Sequence, residues 1–131
     1  MENRISISLG APISVNAMYT PSKKYGMVKS KKYRVWIEKN LNLIKETKKP
    51  NHFPVEVDIT IVEGKGFSTK NDVDNIIKAI CDLLVKAEIL PDDNTTYINK
   101  CEVRFMPFFT TKSEALTMIT IKENVQDFCD E

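Results

Sequence analysis

Hydrophobic and polar residues alternate in four stretches of the chain, and such alternation predicts β-strands with one buried face. The stretches are Ile5–Gly10, Val55–Gly64, the segment from Tyr97 to Phe105, and Glu114–Ile121. The alternation is clearest in the second stretch, where valine and isoleucine occupy every other position on one side. We therefore expect a β-sheet that buries one face.

Two other stretches repeat their apolar residues every three or four positions, which predicts helices with one apolar face. The first runs from Ser30 to about Glu46, and serine is a residue type that caps helix N-termini. The second begins at Asp72 and ends at Pro91. Between the first strand and the first helix, the turn-rich residues 11–26 predict a long loop or an irregular hairpin.

The order β-α-β-α-β-β predicts an α+β fold in which two main helices pack on a mixed sheet. The 131 residues suit a single domain, because they contain no linker and no repeat. An acidic tail covers about residues 123–131. No apolar run approaches the roughly 18–20 residues of a membrane span, and the N-terminus lacks the pattern of a signal peptide. We expect a cytoplasmic protein with no membrane partner.

Three cysteines lie far apart in the chain, and none belongs to a C-x-x-C pair. The chain has one histidine, His52. This composition favours reduced thiols in a cytosolic protein over a zinc site.

Charge is distributed unevenly along the chain, although the net charge is only +1. Residues 1–50 contain 11 basic and 3 acidic residues, whereas residues 51–131 contain 8 basic and 15 acidic residues. The densest basic segment consists of Lys23, Lys24, Lys29, Lys31, Lys32 and Arg34. Such a segment can neutralise nucleic-acid phosphates, and a solvated basic face is the alternative.

Acidic residues mark both ends of the second predicted helix, in NDVDNIIKAICDLLVKAEILPDD. Asp72 and Asp74 open this stretch, Asp92 and Asp93 close it, and Lys78 lies one helical turn after Asp74. Carboxylates without histidine or cysteine favour a hard ion such as Mg²⁺ or Mn²⁺. The alternative is an ordinary helix cap and an ordinary turn.

The two acidic ends are separated by the length of the helix, which is about 25 Å for about 17 residues. Asp93 can approach Asp72 within one chain only if the residues after Pro91 run back beside the helix. Otherwise a partner subunit must supply one end. The sequence leaves both arrangements open.

This stretch resembles the D-x-D-N-x-x-K…L-x-D-D signature of the RusA-type Holliday junction resolvases. The residues in register are Asp72, Asp74, Asn75, Lys78, Asp92 and Asp93. A second segment, APISVNAMYTP, resembles the P-P-S-x-N-x-x-Y loop of that family, although Ala11 stands where a proline is usual. Ser30 and Tyr33 are similar to a serine and a tyrosine in the family's first helix, so the resemblance spans roughly Ile5 to Ile121.

The resemblance implies a RusA-like fold and a Mg²⁺-dependent endonuclease, with Mn²⁺ as a possible substitute. It also implies a homodimer that cuts four-way DNA junctions in recombination and repair. The implied metal ligands are Asp72, Asp74 and Asp93. Together with Lys78 they form the implied catalytic set, and Asn75 and Asp92 support it.

We assign DNA contacts to Asn16 and to the basic segment, namely Lys23, Lys24, Lys29, Lys31, Lys32 and Arg34. Tyr19, Tyr25 and Phe67 either stack on opened bases or pack in the core and loops. A nuclease with another branched target, or a non-cleaving branched-DNA-binding protein with the same fold, is the alternative function.

Overall fold

A computed structural model of the chain describes residues 4–13, 19–24, 26–65, 67, 73–106 and 113–123. Within these residues the elements in chain order are β1 Arg4–Leu9, β2 Tyr19–Ser22, β3 Gly26–Lys29, α1 Lys31–Ile44, β4 Val55–Val62, α2 Val73–Lys86, β5 Ile98–Met106 and β6 Leu116–Glu123. The predicted strands and helices are all present, with shifted ends.

A four-stranded sheet with the order β1-β6-β4-β5 forms the centre of the fold. Strand β6 pairs antiparallel with β1 and β4, while β4 and β5 are parallel and are connected through α2. Strands β2 and β3 form a separate antiparallel hairpin. The mixed sheet with two helices confirms the predicted α+β class.

The helices pack on one face of the sheet, where every other residue of β4 is buried. In α1 the buried side chains include Tyr33, Ile37 and Ile44, whereas Val35 and Leu43 are 53% and 63% exposed. In α2 the buried positions recur every three or four residues, as predicted. Full burial of one such aliphatic side chain contributes roughly 1.5–3 kcal/mol.

Helix α1 begins where the sequence predicts it. The Ser30 hydroxyl accepts a hydrogen bond from the backbone N–H of Tyr33 at 3.0 Å, so Ser30 is the N-cap. The last helical residue is Ile44, two residues before the predicted end at Glu46.

Helix α2 ends at Lys86, so the predicted end at Pro91 is wrong. Glu88 takes a left-handed conformation with φ of 60°, and the N–H groups of Ile89 and Leu90 both donate to the Leu84 carbonyl. This turn satisfies carbonyl acceptors that a helix end leaves free. The chain therefore reverses direction before it reaches Pro91. Ile89 and Leu90 lie within this reversal, and both side chains are buried in the core.

Other boundaries also differ from the sequence prediction. The sequence predicts a long loop or an irregular hairpin over residues 11–26. The structure shows a hairpin formed by β2 and β3, and its second strand extends to Lys29. Strand β4 ends at Val62, and β6 runs two residues past Ile121. Glu123 therefore belongs to β6, where its buried carboxylate accepts a hydrogen bond from the Asn51 N–H. Residues 124–131 of the predicted tail lie outside the described residues.

No helix in the described ranges is long and apolar enough to cross a membrane.

The strained backbone at Glu88 leads to a stability prediction. A left-handed φ costs a residue with a Cβ about 1–2 kcal/mol, and glycine avoids this cost. Glu88→Gly and Glu88→Ala lose the same surface salt bridge to Lys49, so their difference reports the backbone alone. We expect Glu88→Gly to have a free energy of unfolding about 1 kcal/mol higher than Glu88→Ala in urea denaturation. Equal stabilities would contradict the observed turn.

Candidate active site

Lys78 and Asp93 line one cleft of about 370 Å³ between α2 and the start of β5. Its walls include Ile77, Lys78, Cys81, Asp93, Lys100 and Cys101. Lys78 precedes the end of α2 by eight residues, or about 12 Å of helix. Asp93 reaches Lys78 because the chain reverses after Lys86. The chain thus doubles back beside α2 as far as the cleft of Lys78, and Asp72 lies outside the described residues.

Asp92 and Asp93 have different surroundings although they are adjacent. The Asp92 carboxylate accepts hydrogen bonds from the Asp93 backbone N–H at 2.8 Å and from the Asn94 amide at 3.2 Å. Asn94 in turn accepts from the Thr96 N–H at 2.9 Å. The exposed Asp93 carboxylate has no hydrogen bond or salt bridge to any described residue. Asp92 thus holds the turn, and Asp93 is available to a ligand.

The cleft residues of α2 lie on one stripe of the helix. Ile77, Lys78 and Cys81 line the cleft, and the helical repeat places position 74 on the same stripe, one turn before Lys78. The side chains of Asp74 and Asn75, and the whole of Asp72, lie outside the described residues. Within the described part of the chain, no three His, Cys, Asp or Glu residues are grouped to hold a metal ion. The metal site stays a prediction.

The cleft offers a hard donor in the Asp93 carboxylate, while its Cys81 thiol is held in the protonated form. A thiol must lose its proton to bind a metal. A hydrogen bond to Cys101 and burial raise the pKa of the Cys81 thiol well above its ordinary value, so Cys81 stays protonated. The Asp93 carboxylate is exposed and without a described partner. Carboxylate oxygen is the ligand type that Mg²⁺ and Mn²⁺ prefer.

A second cleft adjoins the first, because Asp93 lines both. Its lining also includes Lys29 and Asp82. The buried Tyr33 hydroxyl donates to the Asp82 carboxylate at 2.6 Å, and the Lys29 ammonium lies 5.3 Å from the Tyr33 ring centre, within cation–π range. These contacts hold Lys29, in the middle of the basic segment, close to α2 and to Asp93. The sequence reasoning missed Asp82, although a carboxylate four residues after Lys78 on an apolar helix was a visible signal.

The basic segment spans the β2–β3 hairpin and the first turn of α1. Lys23 and Lys24 lie at the hairpin turn, Lys29 ends β3, and Lys31, Lys32 and Arg34 are exposed on α1. Lys31 and Lys32 line a separate apolar groove on α1, so not every predicted DNA contact faces Asp93. Asn16 lies outside the described residues.

Of the three aromatic residues considered for base stacking, the structure describes the side chain of Phe67. It is buried and stacks on Phe105, with ring centres 5.8 Å apart. Phe67 therefore packs in the core.

A comparison with models of protein families matches endodeoxyribonuclease RusA over residues 10–122. This range includes the basic segment, α2 and both clefts. The chain belongs to the RusA family. No individually curated protein matches it.

RusA family membership confirms the resemblance found in the sequence. It identifies the chain as an endodeoxyribonuclease, a hydrolase of the DNA backbone, of a family that acts on branched DNA at Holliday junctions. In this RusA family member, the motif residues Lys78, Asp92 and Asp93 occupy one cleft and the turn beside it.

Cys81 and Cys101 both line the cleft of Lys78 and Asp93, and they lead to a prediction about thiol reactivity in this RusA family member. The hydrogen bond from Cys81 lowers the pKa of the Cys101 thiol, and the thiolate is the nucleophile. We expect iodoacetamide to modify Cys101 at a lower pH than a free cysteine, while Cys81 stays unmodified. Peptide mass spectrometry across a pH series measures both.

The matched variant Cys81→Ala removes the hydrogen-bond donor. It should move the reactivity profile of Cys101 to higher pH. Faster modification of Cys81 than of Cys101 in the native chain would contradict a hydrogen bond in which Cys81 donates to Cys101.

Proposed function

We propose that this RusA family member is a Mg²⁺-dependent endonuclease that resolves Holliday junctions by paired phosphodiester hydrolysis in DNA recombination and repair. We further propose that it works as a homodimer and that Mn²⁺ can replace Mg²⁺. One observation carries the proposal: Asp93 and Lys78 line the same cleft. Lys78 lies on a stripe of α2 that continues to position 74. The cytoplasmic location stays a prediction.

The proposed metal ligands are Asp72, Asp74 and Asp93. Two features support this set, namely the free Asp93 carboxylate and the place of residue 74 one turn from Lys78. When bound, Mg²⁺ would lower the pKa of a coordinated water and offset charge on the scissile phosphate. Asn75 would steady the ligands from a neighbouring position, and Asp92 fixes the turn that presents Asp93.

Lys78 is the proposed stabiliser of negative charge on the phosphate in the transition state. Its side chain is exposed in the cleft and forms no salt bridge to a described residue. No carboxylate of the described residues has to be displaced when the ammonium approaches an incoming phosphate. This position suits an electrostatic role beside Asp93.

The basic segment is the proposed DNA grip, together with Asn16. Lys29 connects it to the cleft, because Lys29 contacts Tyr33, which is bonded to Asp82 on α2. The first turn of α1 contains no acidic residue, and the side chains of Lys31, Lys32 and Arg34 are exposed. Phosphates held along this segment would lead the backbone toward Lys78.

A homodimer suits this substrate because a junction needs two symmetric cuts. A two-fold axis supplies two identical sites facing opposite strands.

Replacement of the proposed ligand separates cleavage from binding. Asp93→Asn removes a charged ligand, so we expect Mg²⁺-dependent junction cleavage to fall by about 100-fold or more. Binding to a four-way junction in Ca²⁺ should change by less than about threefold. Gel electrophoresis measures both with the same labelled junction.

The matched control is Glu46→Gln, which removes one exposed negative charge from a residue that lines neither cleft and should leave both quantities unchanged. Full cleavage by Asp93→Asn would contradict the assignment. Absence of cleavage by the native chain, with tight junction binding, would favour the non-cleaving alternative.

The salt dependence of junction binding tests the basic segment. With about six phosphate contacts, log K should fall against log salt concentration with a slope near −5. The double variant Lys23→Ala/Lys24→Ala should reduce the steepness by about 2, because each lost contact removes about one released counterion. The control Lys45→Ala/Lys48→Ala changes two exposed lysines beyond α1 and should keep the native slope. Equal slopes for both double variants would contradict the assignment.

A further inference from the structure

A groove of about 470 Å³, which we call the α1 groove, lies along the first helix. None of its described lining residues belongs to either cleft of Asp93. One side is formed by residues 11–13, which follow β1, and the other by Lys32, Val35, Trp36 and Lys39. These four positions are i, i+3, i+4 and i+7 of α1, so they form one stripe of the helix. This stripe lies beside the buried one that begins at Tyr33, so α1 has a second face besides the one packed on the sheet.

The middle of the α1 groove is apolar. Val35 is 53% exposed, and Trp36 is partly buried. The indole N–H of Trp36 donates to the Ala11 carbonyl at 3.1 Å, which holds the ring and leaves its carbon atoms to line the groove. Pro12 and Ile13 add apolar atoms from the opposite side. A flat apolar group suits this surface, because such a group can stack on an aromatic ring.

The charged residues of the α1 groove are mostly basic. Three exposed lysines, Lys31, Lys32 and Lys39, line it against one carboxylate among the described lining residues, that of Glu114. The Glu114 carboxylate accepts a hydrogen bond from the Ala11 N–H at 3.5 Å. Basic side chains around an apolar surface favour a ligand that combines negative charge with an apolar group.

A nucleotide of single-stranded DNA has this combination, because its phosphates are anionic and its base has an apolar face. In a duplex the base faces are stacked, and only the base edges are accessible in the grooves. Branched DNA offers unpaired nucleotides, since pairing and stacking are interrupted where its arms meet. We propose that the α1 groove binds an unpaired nucleotide of branched DNA, with the base against Trp36 and Val35 and the flanking phosphates at Lys32 and Lys39.

The α1 groove continues a path for DNA that begins at the candidate active site. Lys29 lines a cleft of Asp93, and Lys31 and Lys32 follow it at the start of α1. A strand that runs from Lys29 along α1 meets Lys32, the apolar surface and then Lys39, about 10 Å further along the helix. The inference rests on the DNA substrate of the proposed function and adds a nucleotide site outside the catalytic cleft.

The charges disfavour a second copy of the chain as the occupant. Two copies packed groove to groove would place lysines against lysines, which repel each other. DNA is favoured over an acidic peptide because Lys31 and Lys32 belong to the basic segment that passes the cleft of Asp93.

Trp36 is the single tryptophan of the chain, so tryptophan fluorescence reports on the α1 groove alone. In buffer without divalent ions, we expect a single-stranded oligothymidylate to quench this fluorescence saturably, because a base stacks on the indole ring. A duplex of the same length should bind through the basic segment but quench much less. Fluorescence anisotropy of a labelled oligonucleotide measures the affinity separately.

A matched pair of variants tests the groove. Val35→Asp places a carboxylate inside it, whereas Leu43→Asp places the same charge at a 63% exposed position of α1 that does not line it. Val35→Asp should bind oligothymidylate about tenfold more weakly than Leu43→Asp. Circular dichroism checks that both variants are folded.

A second pair keeps the test decisive if Val35→Asp fails to fold. Lys32→Ala/Lys39→Ala should reduce the salt dependence of oligothymidylate binding by about 1.4 in slope, since each single-strand phosphate contact contributes about 0.7. Lys45→Ala/Lys48→Ala changes two exposed lysines outside the groove and should keep the native slope.

Equal affinities of the two folded aspartate variants would overturn the groove assignment. Saturated oligothymidylate binding without a change in Trp36 fluorescence would do the same, as would an equally large response to a duplex or to polyglutamate. Junction cleavage by the native chain without a Trp36 response would refute the groove and leave the proposed nuclease intact. A Trp36 response without junction cleavage would support the groove and contradict the nuclease.

Discussion

The candidate active site depends on the reversal of the chain after α2. Burial of Ile89 and Leu90 stabilises this reversal, and two N–H groups on the Leu84 carbonyl close it. A helix continued to Pro91 would carry Asp93 about 20 Å from Lys78. The reversal instead returns Asp93 to the cleft wall, where its exposed carboxylate lies within the cleft of Lys78. Apolar packing of the core therefore fixes the position of a charged group at the surface.

Much of the fold was predictable because the apolar pattern is regular in the strands and on both helix faces. The end of α2 was not, since Ile89 and Leu90 continue the apolar spacing past the last helical residue. A glycine usually marks a left-handed turn, but here the position is Glu88. The pattern therefore predicts a helix end at Pro91, although α2 ends five residues earlier, at Lys86.

The sequence motif predicts the candidate site as a set of residues but not as a geometry. Sequence spacing placed Asp92 and Asp93 together, whereas the structure shows one carboxylate bonded within the turn and the other without a described partner. Lys78 was predicted from the motif, and the cleft that it shares with Asp93 depends on β5, which is distant in sequence. Asp82 was missed because its partner, Tyr33, lies 49 residues away. Such contacts follow from tertiary packing, which local pattern does not encode.

The proposed catalysis requires a divalent ion bound where α2 and the returning chain meet. Anomalous X-ray diffraction from crystals soaked in Mn²⁺ tests it directly, because Mn²⁺ is located without reference to activity. We expect an anomalous peak coordinated by Asp74 and Asp93, next to Lys78. Well-ordered Asp74 and Asp93 side chains that point away from each other, with no Mn²⁺ peak between them, would contradict it.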